Sequence, residues 1–97
     1  MLPILFLGPT MKYFKKLNDK QLKQKYEDAI NEIRNEPEIG ERKVGDLAGI
    51  WGYDVYHNAV NYEITYYLAE NDQGEVVVVI MAGTRENFWD AIKRYMG

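Results

Sequence analysis

Two carboxylates, Asp54 and Glu63, stand at positions that a tight turn would set opposite each other. Trp51 to His57 alternates Trp51, Tyr53 and Val55 against Gly52, Asp54 and Tyr56; Val60 to Leu68 alternates Tyr62, Ile64, Tyr66 and Leu68 against Asn61, Glu63, Thr65 and Tyr67. A two-residue turn at Asn58-Ala59 pairs Val55 with Tyr62, Tyr53 with Ile64 and Trp51 with Tyr66, so the large apolar groups share one face. The other face then pairs Tyr56 with Asn61 and Asp54 with Glu63. Like charges directly opposed across a strand pair destabilise it. Either solvent or a neighbouring arginine relieves that repulsion, or one carboxyl holds a proton beside its ionised partner, which is the arrangement of a general acid/base site.

A second group is Gly83-Thr84-Arg85-Glu86-Asn87-Phe88-Trp89, where the most apolar strand gives way to a last helix. Arg85 reads as a helix-entry residue pairing with Glu63 or Glu86. His57 borders the turn, which makes it an exposed strand-end residue. Six lysines (12, 15, 16, 20, 23 and 25) with Asp19 give the stretch from Lys12 to Lys25 a charge of +5, and the remainder carries −8. That stretch is a solvated helix face or a contact for a polyanion. Trp51, Tyr53 and Tyr66 read as core, whereas Tyr56 and Tyr67, on the polar face, are open to stacking on RNA or a partner.

The elements that must position these groups follow from pattern. Ile4 to Leu7 is a short apolar strand closed by a Gly8-Pro9 turn. Thr10 caps a helix with Met11, Tyr13, Phe14 and Leu17 inward, Asn18-Asp19 interrupts it, and a second helix from Lys20 buries Leu22, Tyr26, Ala29, Ile30 and Ile33 before stopping at Pro37. Glu38 to Gly49 reads as a loop with Val44 and Leu47 tucked inward. The two strands described above follow, then a turn within Ala69 to Gly74 and a strand from Glu75 to Ala82. Its unbroken valines and isoleucine mark it as central and covered on both faces. Asn87 to Tyr95 closes the chain as a short helix. The expected fold is α+β, an antiparallel sheet with an N-terminal helical hairpin and a short C-terminal helix, in the order β-α-α-β-β-β-α.

Composition sets the limits. Ninety-seven residues make a single domain, 1–97, and 46% hydrophobic with 28% charged residues excludes intrinsic disorder. Cysteine is absent and His57 is the lone histidine, so no cysteine- or histidine-based metal site and no cofactor is expected. The apolar run Leu2 to Leu7 is too short for a membrane span or a leader core and follows no basic residue, so a cytoplasmic protein without membrane contact is expected. Net charge of −3 and a pI near 5.1 disfavour a general nucleic-acid binder.

The Gly-x-Arg-Glu-Asn-aromatic turn after an apolar strand resembles the C-terminal segment of RelE/ParE-superfamily toxins of bacterial type II toxin-antitoxin modules. The Gly45-Asp46-Leu47 loop, the strand Tyr62-Glu63-Ile64-Thr65-Tyr66-Tyr67 and the helical hairpin after a short first strand fall in the family's order, so the resemblance spans nearly the whole chain. It implies a cognate antitoxin and one of two actions. RelE-like members enter the ribosome and cut mRNA, holding the scissile phosphate with cations and moving protons with an acid/base group; ParE-like members bind DNA gyrase without a nuclease site. A member that has lost toxicity and serves as an interaction module is a third possibility. By resemblance Arg85 falls at a phosphate-contacting arginine and Trp89 near a C-terminal catalytic aromatic. Asp54 and Tyr56 stand where several RelE-like enzymes have lysines, and Glu63 where many have arginine. The leading expectation is a ribosome-associated mRNA endonuclease in which Glu63, Asp54 and His57 supply proton transfer beside Arg85 and Trp89. Lys12, Lys15, Lys16, Lys20, Lys23 and Tyr56 would then contact RNA.

Overall fold

The computed structural model describes residues 1–84. Arg85, Trp89 and the expected C-terminal helix lie outside them. The elements are β1 (Ile4–Phe6), α1 (Gly8–Lys16), α2 (Lys20–Asn35), β2 (Glu41–Arg42), a single 3-10 turn at Gly45–Leu47, β3 (Trp51–His57), β4 (Val60–Asn71) and β5 (Gly74–Thr84). They build an α+β fold.

Gly8-Pro9 does not turn the chain away from β1, as the sequence suggested, but begins α1. Proline in the first helical turn lacks only an amide that would have no intrahelical partner anyway. Thr10 is therefore inside the helix and fully buried, its hydroxyl donating to the Val79 carbonyl at 3.4 Å. Met11, expected inward, is 55% exposed, while Tyr13, Phe14 and Leu17 pack against the core. Asp19 caps α2 by accepting from the Leu22 amide at 3.1 Å. Leu22, Tyr26, Ala29 and Ile33 then form its buried stripe.

The sheet has five strands in the order β1-β5-β4-β3-β2, where four antiparallel strands were expected. The added strand, β2, comes from the stretch read as loop. The other departure is that β1 runs parallel to β5, with Leu5 beside Val78. That placement gives β5 a neighbour on each side, which an unbroken buried run requires, and Val76 to Ile80 are all buried. Val44 is 85% exposed instead of tucked inward.

The β3–β4 hairpin has the expected register, from Trp51 opposite Tyr66 to His57 opposite Val60. Asn58 and Ala59 take φ of 49° and 62°, as a turn matched to strand twist demands. Between β4 and β5 the register shifts at Thr65/Tyr66, where Thr65 faces Met81 and Tyr66 faces Val79. This bulge at Ile80 keeps Tyr66, Val79, Ile64 and Ala82 together on the face that Leu22, Tyr26, Ala29 and Ile33 cover. No helix among the described residues is long and apolar enough to cross a membrane.

Candidate functional site

Alternation along β3 and β4 sends Asp54 and Glu63 to the face opposite the helices, and the two residues are register partners. Asp54 is exposed. Glu63 is 1% exposed, so the pair is not an open carboxylate dyad. Among the described residues the cation beside it is Lys43, whose Nζ lies 3.7 Å from Glu63 Oε2 and whose side chain is 14% exposed.

Lys43 arrives there through β2. Arg42 pairs with Trp51 and Glu41 with Gly52, and the Lys43 amide donates to the Ile50 carbonyl at 2.9 Å. Arg42 therefore lies over the Trp51 ring, 5.6 Å from its centroid, while Glu41 and Lys43 alternate to the Glu63 side. Glu41 Oε2 is 3.9 Å from the same ammonium. Gly52 makes the space: a Cβ there would strike the Glu63 carboxylate and approach Lys43 Cε to 3.0 Å. Sequence reading missed Lys43 because it sat in an apparent loop. The available signal was a glycine inside a strand pattern, which marks close approach by another group.

His57 departs from expectation. It is 4% exposed, on the helix side of β3, and its Nε2 lies 3.0 Å from Asp19 Oδ2, with the Asn58 amide nitrogen at 3.3 Å. The hydrogen bond from the Leu22 amide, reinforced by His57, holds the Asp19 carboxyl below the usual range. His57 thus fastens the hairpin tip to the start of α2. It is on the opposite face from Glu63, and the two cannot share a proton relay.

The lysines are likewise apart from Glu63. Lys12, Lys15, Lys16, Lys20 and Lys23 are exposed on the helices that cover the other face. Lys25 reaches the rim of β3, donating to the Tyr56 carbonyl at 3.0 Å. Tyr56 itself is 67% exposed and shares the Asp54 side of the strand. Tyr53, on the helix side, donates its hydroxyl to Glu32, and that hydrogen bond, with burial second, pushes the phenol up to about 12. Tyr66 is fully buried, donating to the Pro37 carbonyl at 2.7 Å and accepting from the Gly40 amide at 3.1 Å, which makes it core and not a stacking platform. Among the described residues no group of three or more metal-ligating side chains occurs.

What the described residues bring together is one sealed carboxylate with one lysine, and an exposed aspartate and tyrosine beside them.

Comparison with known proteins identifies the fold and the family. Residues 4–93 match the model of the ParE-like toxin of type II bacterial toxin-antitoxin systems. Escherichia coli toxin RelE, in a mutant free state, superposes with a TM-score of 0.70 at 21% identity over 96% of this chain and 96% of that one. A YoeB/ParE toxin from Agrobacterium tumefaciens gives 0.68 at 19% identity, covering 87% of this chain and 99% of its own. A chain of the E. coli RelBE toxin-antitoxin complex gives 0.69 at 19% identity, covering 87% and 96%. A comparison with curated proteins finds no match. The helical hairpin on a five-stranded mixed sheet and the family match over nearly the whole chain lead to one conclusion: this chain belongs to the ParE-like toxins of type II bacterial toxin-antitoxin systems.

Proposed function

We propose that this toxin acts in the cytoplasm by binding and obstructing its target, with DNA gyrase as the target that the ParE-like resemblance implies, and that a cognate antitoxin silences it. One observation carries the choice of binding over RNA cleavage. Glu63, the best-placed proton-transfer group of the sequence reading, is 1% exposed with the Lys43 ammonium 3.7 Å away, so its carboxylate is closed to an attacking 2′-hydroxyl. The acidic overall balance, net −3, agrees with a protein target.

A second reading, the ribosome-associated mRNA endonuclease, draws on Asp54 and Tyr56, exposed on one side of β3 where a base and a stacking ring could meet RNA. Induced expression separates the two. Growth arrest with filamentation, an SOS response and intact mRNA, together with inhibition of purified gyrase, is the expected result. Cleaved transcripts whose appearance is abolished by Asp54→Asn would replace binding by catalysis, and absence of any growth effect would leave an interaction module of the same fold.

A further inference from the structure

Residues 36–49, which join α2 to β3, contain no buried residue, although the elements on either side of them build the core. Ile39 and Val44 are 39% and 85% exposed. Apolar burial therefore does little to hold this stretch in place. Polar anchors hold it instead. The Tyr66 hydroxyl donates to the Pro37 carbonyl at 2.7 Å and accepts from the Gly40 amide at 3.1 Å. The two residues of β2 pair with β3, Arg42 lies over the Trp51 ring, and Lys43 reaches Glu63. Gly45 and Gly49, at φ 68° and 91°, bracket the 3-10 turn with open space around each, so the backbone is free to change direction there.

We propose that residues 36–49 form a strap that opens as a unit while the rest of the fold stays intact, and that its opening controls the access of solvent and solutes to Glu63. Lys43 is the strap's own residue, and it meets Glu63 across the space left by Gly52. When the strap lifts, Lys43 leaves with it, and Glu63 regains water beside its register partner Asp54. Rehydration of both charges offsets the lost ion pair. Opening also breaks the short β2 ladder, the two Tyr66 hydrogen bonds and the Arg42 contact, each a modest net contribution. Separating β4 from β5 would instead expose Ile64, Val77 and Val79, all at 0%, so the strap is the first part to open. The device goes beyond the binding reading above, which uses only the closed form.

The test reads hydrogen exchange of the purified full chain in low urea, together with carboxyl modification by a water-soluble carbodiimide and glycinamide. In the parent chain the Gly40 and Lys43 amides should exchange at a rate nearly independent of urea, because little surface is exposed on opening, while the Val77 amide follows urea steeply. Tyr66→Phe keeps the ring in the core and removes both anchoring hydrogen bonds. It should speed exchange at Lys43 about tenfold, still without urea dependence. Modification of Glu63, counted as glycinamide adduct or as amide to Lys43, should rise by the same factor, with exposed Asp54 reacting alike in both chains. Gly40→Ala should open the strap further, since its Cβ would come within 2.6 Å of the Tyr66 hydroxyl and 2.9 Å of the Gly52 carbonyl. Strap amides that follow urea as steeply as Val77 would overturn the proposal, and so would Glu63 modification that stays flat while Lys43 exchange rises. The parent chain alone decides the first point, so a variant that fails to fold does not shield the proposal. Neither readout uses toxicity, so the binding reading stands or falls separately.

Discussion

Neighbours on β4 show how differently the two faces of one sheet are filled. Ile64 faces the helices at 0% exposure among Val55, Tyr66 and Ala82; Glu63, one residue earlier, faces the other way at 1% exposure beside Lys43. Burial is equal and its physics opposite. Around Ile64 every removed square ångström of apolar surface contributes favourably, and polar groups such as the Tyr66 hydroxyl are satisfied by fixed backbone partners. Around Glu63 desolvation opposes folding, and a lysine delivered by a separate strand offsets it. One face therefore supplies stability, and the other holds charges in a fixed place at a cost.

The largest expected effect breaks the first face. Ile64→Ala should cost about 3–4 kcal/mol in urea unfolding, through lost transfer energy and a cavity that the surrounding valines cannot close. No second substitution at a charged residue should restore it. Glu63→Ala comes next, at about 2–3 kcal/mol, because a lysine whose side chain is 14% exposed loses a carboxylate neighbour. Here the two faces separate: Glu63→Met combined with Lys43→Met should lose less than the sum of the single changes by about 1–2 kcal/mol. Additive losses would mean that Lys43 does not compensate Glu63, and the contrast between the faces would fail.

The hairpin that sets these faces was legible in the sequence for a local reason. A two-residue turn leaves one register that turns Tyr53, Val55, Tyr62 and Ile64 the same way, so Asp54 and Glu63 had to face each other. The core stripe of α2 was legible for the same kind of reason, a fixed helical period. The partner of Glu63 was not, because β2 pairs Glu41 with Gly52 across a loop whose length encodes no register. The parallel seat of β1 on β5 joins residues more than seventy positions apart and left no trace in local pattern. His57 was misplaced because its burial depends on Asp19, a cap of another element.

A smaller effect, of opposite sign, sharpens the comparison at the turn. Ala59 sits at φ 62°, a region where a Cβ is crowded and glycine is at ease. Ala59→Gly should raise stability by roughly 0.5–1 kcal/mol, the relief of strain being partly cancelled by the greater freedom of the unfolded chain. Both faces should benefit alike, since the turn fixes their common register. Slower hydrogen exchange across β3 and β4 together is the expected signature, and slowing confined to one strand would show that the turn does not govern the pairing.

The smallest effect is confined to alkaline solution and to the helix face. The Tyr53 hydroxyl donates a hydrogen bond to the Glu32 carboxylate, and that bond exists only while the phenol is neutral. Its pKa is raised from 10.0 to about 12, so the folded chain holds this proton more tightly than the unfolded one. The resulting stability is complete below pH 10 and is lost as pH rises through about 12. The bond lies at the exposed edge of the helix face, which keeps the contribution small. Tyr53→Phe should therefore lower stability slightly at neutral pH and flatten its fall between pH 10 and 12, whereas Tyr56→Phe, whose hydroxyl belongs to the exposed side of the same strand, should leave that fall unchanged. Equal flattening by both would mean that the Tyr53–Glu32 bond does not help to hold α2 against β3.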